Sequence, residues 1–135
     1  MSVNVSAGIF ICSDMILIAS RSKRKIYSDC WEFPGGKLEN NESPYNALRR
    51  EIKEELSIEV KSALLFDRYL YQVEKLQINL NFFYCKQWFG EFIPLDGQNL
   101  KWVSRKDILN FKTLPSNERV IKKILKFNWS VIPHD

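Results

Sequence analysis

The middle of the chain alternates between apolar and other residues, and this pattern constrains the fold more than any other feature. Apolar or aromatic side chains occupy every second position of one segment: Leu76, Ile78, Leu80, Phe82 and Tyr84. A period of two is that of a β-strand. The preceding segment, Ala63 to Val73, is rich in aromatic and branched residues and predicts a second long strand. The fold therefore contains a sheet to which both segments contribute.

Shorter strands are predicted towards both ends of the chain. Val3 to Ile11 and Ile16 to Ala19 are apolar and rich in β-formers. Because Ser13-Asp14 between them favours a turn, the two segments together predict a hairpin. Leu100 to Val103 predicts a further short strand, after a loop that contains Pro94 to Gly97.

Three helices are predicted among these strands. Ser43 followed by Pro44 is typical of a helix start, because serine caps the first turn and proline fits the first helical position. Apolar residues then recur at helical spacing: Tyr45, Leu48, Ile52 and Leu56. A brief helix over 105–109 and a last helix over about 117–126 follow. Strands with helices among them indicate an α/β or α+β sandwich.

The size and composition of the chain favour one soluble domain. Its 135 residues contain no repeat and no Gly/Ser linker, so residues 1–135 are expected to form a single domain. No apolar run approaches the roughly 18 residues that a membrane span needs. The first residues lack the basic stretch of a secretory signal. We therefore expect a cytoplasmic protein with no membrane partner.

Histidine and cysteine usage excludes several classes of site. The single histidine, His134, leaves no room for most Ser-His-Asp or Cys-His catalysis or for a histidine zinc site. Cys12, Cys30 and Cys85 have neither zinc-ligand nor redox spacing, so we expect free thiols. Acid–base groups would then be carboxylates, lysines or tyrosines. The net charge of +4 suits an anionic ligand such as a nucleotide or nucleic acid, and it equally suits plain solubility.

The carboxylates on the first predicted helix are placed unfavourably for a helix alone. Glu51, Glu54 and Glu55 stand at i, i+3 and i+4 and share one face, where like charges cost about 0.2–0.5 kcal/mol per pair. A divalent cation would reverse this penalty, since Mg²⁺ prefers clustered carboxylates. Alternatively, the three form a solvated face neutralised by Arg49, Arg50 and Lys53. The Gly35-Gly36 turn favours the metal, because its backbone can offer carbonyls to a cation or amides to phosphate.

One spacing in this region is specific. Gly36, five residues, Glu42, seven residues and then the run Arg50-Glu51-Ile52-Lys53-Glu54-Glu55-Leu56-Ser57-Ile58 closely resemble the Nudix box, the signature of the Nudix hydrolases. All but one of the specified positions match. Ser57 stands where the family pattern has glycine, at a position after the helix where a left-handed conformation is common. We expect serine there to cost about 1 kcal/mol or to shift the turn.

Further segments resemble the MutT branch of this family, over nearly the whole chain. They are Trp31-Glu32-Phe33-Pro34-Gly35-Gly36-Lys37, Leu95-Asp96-Gly97-Gln98 with Trp102-Val103, and Leu114-Pro115-Ser116-Asn117. The resemblance implies a Nudix-type α/β/α sandwich with a mixed central sheet and a loop-helix-loop that carries the box. One departure is Ile26, which stands where some MutT proteins have a pocket histidine, so the substrate preference is open to change.

The resemblance also implies a metal site. Mg²⁺, for which Mn²⁺ can substitute, would be held by carboxylates and by one glycine carbonyl: Glu51, Glu54, Glu55, Asp96 and Gly35 or Gly36. Glu54 is the favoured general base and Glu51 the alternative, because a base must not be wholly committed to metal. Arg50 would brace the carboxylates by hydrogen bonding.

The implied substrate is a nucleoside triphosphate, hydrolysed to a monophosphate and pyrophosphate, with oxidised purines such as 8-oxo-dGTP favoured. The residues implied to bind it are Arg21, Glu32, Phe33, Pro34, Gly35, Lys37 and Asn117. Arg21 and Lys37 would meet phosphate oxygens, and the amide of Asn117 would read a purine edge. No stable nucleic-acid partner is expected, and the protein would act as a monomer or a homodimer.

Two other functions stay open. One is a Nudix hydrolase with another substrate: a dinucleoside polyphosphate, ADP-ribose or an RNA 5′ end. The other is a basic module that binds nucleotide or nucleic acid without catalysis, which predicts eroded metal ligands. Glu51, Glu54 and Glu55 are intact, so catalysis is favoured.

Several site residues also have a purely structural interpretation. Asn117 fits the cap of the last helix, and Phe33 and Trp31 fit ordinary core packing. Arg21 fits a solvated loop charge, and Asp96 fits a turn ahead of a glycine.

Overall fold

Eight strands and two α-helices form within residues 1–20 and 29–127, which the computed structural model describes. The strands are β1 (Ser2–Ile9), β2 (Ile11–Cys12), β3 (Met15–Ser20), β4 (Trp31–Glu32), β5 (Gly35–Lys37), β6 (Glu59–Val73), β7 (Leu76–Phe89) and β8 (Leu100–Ser104). The helices are α1 (Pro44–Leu56) and α2 (Glu118–Lys126), with short 3-10 helices at Ile108–Asn110 and Pro115–Asn117. Arg21, Ile26 and His134 lie outside the described residues.

The first sheet is mixed and has the strand order β5-β1-β7-β6. β1 runs parallel to β7, with Val5 opposite Leu80. β5 is antiparallel to β1, and β6 is antiparallel to β7 along nearly its whole length. β5 is therefore an edge strand, which leaves its outer side open towards the site.

The second sheet is antiparallel and centres on β3. β2 and β4 pair with one edge of β3, and β8 pairs with the other edge from Met15 to Ala19. The chain passes from the first sheet to the second at Phe10, which is fully buried. The predicted hairpin is therefore wrong for most of its first segment: only Ile11–Cys12 pairs across the Ser13-Asp14 turn, while β1 joins the other sheet. The pairing of β1 with β7 is distant in sequence, so no local pattern signals it.

Helix α1 begins and ends as its sequence predicts. The hydroxyl of Ser43 accepts a hydrogen bond from the backbone N–H of Asn46 at 3.1 Å, and Pro44 occupies the first helical position. Ser57 ends the helix in the left-handed conformation, at φ 60° and ψ 31°. Its N–H still donates to the carbonyl of Lys53 at 3.1 Å. Serine has thus kept the geometry expected of the missing glycine.

The two helices pack on opposite faces of the first sheet. Adjacent residues of β7 divide between the two cores: Phe82 packs with Val120 and Ile124 of α2, whereas Phe83 packs with Leu48 and Ile52 of α1. Burying each of these side chains contributes roughly 1.5–3 kcal/mol. The α/β/α sandwich and the mixed sheet agree with the prediction. The brief helix expected over 105–109 is instead a 3-10 turn at Ile108–Asn110.

Candidate active site

The two glycines of β5 let other groups come close to its backbone. A side chain at Gly35 would overlap the carbonyl of Ser6 and the Cα of Ala7 in β1. A side chain at Gly36 would overlap the carboxylate of Glu51 in α1. Gly35 therefore serves the contact between strands, and Gly36 leaves room for a carboxylate directly against the backbone.

The register of β5 sets the direction of its carbonyl groups. The N–H of Gly8 donates to Pro34 O at 2.8 Å, and the N–H of Leu38 donates to Asn4 O at 2.9 Å. In an antiparallel ladder, hydrogen-bonded residue pairs alternate with non-bonded pairs. The backbone N–H and carbonyl of Gly36, which lies opposite Ser6, therefore point towards β1. The carbonyls of Gly35 and Lys37 are then turned to the open edge of the sheet. Lys37 O does accept a hydrogen bond there, from Arg50 Nη2 at 2.9 Å.

Arg50 joins the loop before α1 to the carboxylates of the helix. It holds Glu42 with two bonds, Nε to Oε2 at 2.7 Å and Nη2 to Oε1 at 2.9 Å. Its Nη1 donates to Glu51 at 2.8 Å and to Glu54 at 3.2 Å. Hydrogen bonds from Arg50 lower the pKa of Glu42 to about 2, and those to Glu42 and Glu51 raise the pKa of Arg50. Glu42 is thus anionic at neutral pH, and the same guanidinium orients Glu51 and Glu54 beside it.

The three carboxylates of α1 lie in different surroundings. The side chain of Glu51 is 17% exposed and lies against Gly36, whereas that of Glu54 is 58% exposed. Glu55 lines a cavity of about 290 Å³ beside the helix. Within residues 1–20 and 29–127, no three acidic, cysteine or histidine side chains are grouped so that they could hold a metal ion. Their oxygen donors and the outward carbonyl of Gly35 nevertheless suit a hard divalent cation.

The loop after β7 is attached to the end of α1. The N–H of Ile93 donates to Leu56 O at 3.0 Å, and the N–H of Leu95 donates to Glu55 O at 2.9 Å. The next residue, Asp96, lines the same cavity as Glu55. Two carboxylates that are far apart in sequence therefore face one space.

The cavity also contains the residues predicted to bind a nucleotide. Besides Glu55 and Asp96, its lining includes Glu32, Phe33, Pro34, Gly35, Gly36, Lys37 and Asn117. Arg50, Glu51 and Glu54 are not among its lining residues; they form the network beside it. Arg21 lies outside the described residues. Sequence reasoning missed Ser20, Gln98 and the apolar wall formed by Val3, Val5, Leu76 and Ile78, although the alternation of β7 signals which side chains of that strand share a face.

Asn117 is held by the backbone of Phe33, a neighbouring residue in the cavity lining. It is 5% exposed, and its Oδ1 accepts a hydrogen bond from the N–H of Phe33 at 3.2 Å. It stands at the cap position of α2 but makes no side-chain cap bond there. Within the described residues, its amide NH₂ has only a long 3.4 Å contact, to Ser116 Oγ. Asn117 therefore offers the cavity a donor rather than an acceptor.

The packing bears on the structural interpretations of Phe33, Trp31 and Asp96. Phe33 belongs to the core and also lines the cavity. Trp31 packs against Phe111, and its N–H and carbonyl bond to Lys112 and Leu114, which brings the segment before Asn117 into place. Asp96 lies in a turn and in the cavity lining at once. Core packing and site formation are therefore compatible at these positions.

A larger concavity of about 750 Å³ lies between α2 and β6, away from the carboxylates. Arg119 and Lys123 line it, but both reach the buried carboxylate of Asp67, at 3.4 and 3.8 Å. Arg119 also covers the ring of Tyr69. These cations stabilise the packing of α2, so the smaller cavity is the better candidate site.

Comparison with known proteins agrees with this architecture. The NUDIX domain family model matches residues 3–124. An 8-oxo-dGTP diphosphatase of Buchnera aphidicola from Schizaphis graminum is 32% identical over 123 residues, which cover 91% of this chain and 93% of that protein. A CTP pyrophosphohydrolase of Escherichia coli is 30% identical over 115 residues, 85% of each chain.

A solved MutT structure, from work on Aliivibrio salmonicida and Vibrio cholerae, superimposes with a TM-score of 0.81 at 30% identity, over 93% of this chain and 98% of that one. Within the described residues, no helix is long and apolar enough to cross a membrane. The match to the family model spans the glycine turn, the box helix, the Asp96 loop and Asn117. With its fold and its box carboxylates in these positions, the chain belongs to the Nudix hydrolase family.

Proposed function

We propose that this Nudix hydrolase converts nucleoside triphosphates to a monophosphate and pyrophosphate, with 8-oxo-dGTP and related oxidised purines as preferred substrates. The observation that carries the proposal is the shared cavity, in which Phe33 and Asn117 accompany Glu55 and Asp96. An amide that can recognise a base and carboxylates that can lie near phosphates share one space, and this arrangement fits a nucleotide. The name of the Buchnera relative supports the same substrate. Residues 1–135 would form a single domain that carries this activity.

Nudix hydrolases require a divalent metal, and we propose Mg²⁺, with Mn²⁺ as a substitute. Glu51, Glu54, Glu55 and Asp96 would hold it together with one backbone carbonyl. The register of β5 favours the carbonyl of Gly35, because the backbone groups of Gly36 are turned towards β1. When bound, such an ion neutralises phosphate charge and lowers the pKa of an attacking water.

Side chains of the protein would orient the carboxylates and the phosphates and would accept the proton of the attacking water. Glu54 is the favoured base, because it is the more exposed carboxylate and its bond to Arg50 is longer than that of Glu51. Glu51 remains the alternative. Arg50 would keep the carboxylates apart and oriented, and Lys37, with Arg21, would meet phosphate oxygens.

Base recognition would depend on the donor of Asn117. Since its Oδ1 is engaged by Phe33, the NH₂ group would face an acceptor on the base, such as a purine carbonyl or ring nitrogen. Glu32 and Pro34 line the same space and would complete the contact. The apolar wall formed by Val3, Val5, Leu76 and Ile78 would pack against the ring.

A pyrimidine substrate is the second candidate, because one relative is named for CTP. Dinucleoside polyphosphates, ADP-ribose and RNA 5′ ends are less favoured, and binding without catalysis is disfavoured by the intact carboxylates. We also propose a cytoplasmic enzyme, since all three cysteines are thiols and the triphosphate pool lies in that compartment. A monomer or a homodimer without a nucleic-acid partner would suffice.

The proposal is tested by analysing products from 8-oxo-dGTP, dGTP and CTP in parallel, with and without Mg²⁺. Faster release of monophosphate and pyrophosphate from 8-oxo-dGTP, only with metal, is expected. Glu55→Gln should fold and lose nearly all turnover, whereas Glu91→Gln, in the exposed loop after β7, should retain it. Faster turnover of CTP would transfer the proposal to pyrimidines, and no turnover of any triphosphate would overturn it.

A further inference from the structure

The turn that carries Asp96 has few contacts of its own. In the turn Pro94–Gly97, the N–H of Gly97 reaches Pro94 O only at 3.4 Å, which is long for a hydrogen bond. Leu95, Asp96 and Gly97 are exposed. Among the described residues, nothing lies within 4 Å of the position where a Cβ of Gly97 would stand. Packing alone therefore does little to hold the backbone of Asp96.

Gln98 supplies a shorter bond at the centre of this turn. Its side-chain Oε1 accepts a hydrogen bond from the backbone N–H of Asp96 at 3.0 Å. The residues on either side are attached elsewhere: Leu95 to Glu55 O, and Asn99 to Ser20 by two bonds of 2.8 and 2.9 Å. Gln98 thus fixes the backbone between these two attached residues, and it lines the cavity together with Asp96.

We propose that Gln98 is a positioning residue for the metal site, acting through Asp96. By holding the Asp96 amide, it keeps the carboxylate on the side of the cavity that Glu55 lines. The inference rests on the proposed function, which makes Asp96 a metal ligand. Groups that orient a metal ligand typically contribute 10–100-fold to metal affinity.

The test measures Mn²⁺ binding to the whole protein without nucleotide, by electron paramagnetic resonance of free Mn²⁺. Gln98→Met keeps the side-chain length and removes the acceptor, so we expect about 10-fold weaker binding. Gln98→Glu keeps an acceptor oxygen and should bind at least as tightly as the wild type. Gln87→Met makes the same change at an exposed position of β7 and should have no effect.

A double variant separates positioning from general stability. If Gln98 acts through Asp96, then Asp96→Asn with Gln98→Met should bind Mn²⁺ no more weakly than Asp96→Asn alone. A further loss in the double variant, with a lowered Tm, would overturn positioning in favour of loop stability. The ratio of kcat/KM between 8-oxo-dGTP and dGTP should stay constant in Gln98→Met, because the base contacts are unchanged.

The outcomes also separate this inference from the proposed function. Wild-type Mn²⁺ affinity in Gln98→Met, with weakened affinity in Asp96→Asn, would overturn the role of Gln98 alone. Wild-type affinity in Asp96→Asn would overturn both the metal assignment of Asp96 and the role of Gln98. Metal binding that follows the expected pattern, in a protein that hydrolyses no triphosphate, would support Gln98 and overturn only the substrate.

Discussion

Arg50 and Glu42 form a two-bond ion pair that joins the helix of the Nudix box to the loop before it. Nε and Nη2 of Arg50 reach the two carboxylate oxygens at 2.7 and 2.9 Å. The same guanidinium bonds Glu51, Glu54 and the carbonyl of Lys37. One side chain therefore links β5, the loop and the carboxylate face of α1, and the protonation of Glu42 reports on the whole arrangement.

Glu42 should make the stability of the protein depend on pH in the acid range. Its pKa is about 2 in the folded protein against an ordinary value of 4.5, so it stabilises the fold above pH 4.5, and this contribution is lost as the pH falls towards 2. Denaturant unfolding of the wild type and Glu42→Gln should differ at pH 7 and 5 and converge by pH 2–3. A Glu91→Gln variant controls for the loss of a charge. A difference that does not change between pH 5 and 2 would contradict the pairing.

The two glycines of β5 should respond to alanine in different ways. In Gly36→Ala the new Cβ displaces the end of a flexible side chain, Glu51, so we expect a folded protein with kcat/KM lowered about 100-fold. In Gly35→Ala the Cβ meets the backbone of β1, so we expect a loss of about 3 kcal/mol or more in the free energy of unfolding. Thermal melts and steady-state kinetics on both variants check the contrast. Equal melting temperatures would refute it.

Replacing Ser57 with the family's glycine should stabilise the protein. Ser57 holds φ 60°, a conformation that glycine adopts without strain, so Ser57→Gly should raise the free energy of unfolding by about 0.5–1 kcal/mol. Activity should stay within twofold, because the carboxylates are already in place. Ser62→Gly, within β6 at a position where φ is not positive, is the matched control and should destabilise by a similar amount. The same sign for both variants would refute the argument from backbone strain.

Two substitutions at Asn117 should separate its support of Phe33 from its proposed role in base recognition. Asn117→Ala leaves the N–H of Phe33 without its acceptor, so it should lose about 1–3 kcal/mol of stability as well as selectivity. Asn117→Asp keeps an oxygen acceptor and removes the NH₂ donor. It should therefore retain more stability than Asn117→Ala and still lose preference for 8-oxo-dGTP over CTP. Unchanged selectivity in both variants would exclude Asn117 from base recognition.

The sequence predicts the local parts of the fold well. The cap at Ser43, the apolar stripe of α1 and the left-handed Ser57 depend on interactions within a few residues, and each has the predicted form. The partner of β1 depends on contacts with β7, which is distant in sequence, so the predicted hairpin was right only at Ile11–Cys12. Propensity identifies strands but carries no information about which strands pair.

The candidate site divides in the same way. The box spacing identifies the carboxylates of α1, and the resemblance adds Asp96 and Asn117. The bond from Phe33 to Asn117 and that from Asp96 to Gln98 arise where segments meet, so they depend on the folded loops. The roles of Gly35 and Gly36 likewise follow from register, because neighbouring residues of one strand face opposite ways.

The pairing of β1 with β7 has a consequence for the order in which parts of the protein can fold during synthesis. β5, with its two glycines, is held by β1, and β1 obtains its inner neighbour only after residue 89 of 135 has been synthesised. The Nudix box is already complete at Ile58. A nascent chain therefore exposes the whole motif on the ribosome well before a sheet exists to hold Gly36 against Glu51. Both β6 and β7 must be synthesised after the motif before the motif can become an active site.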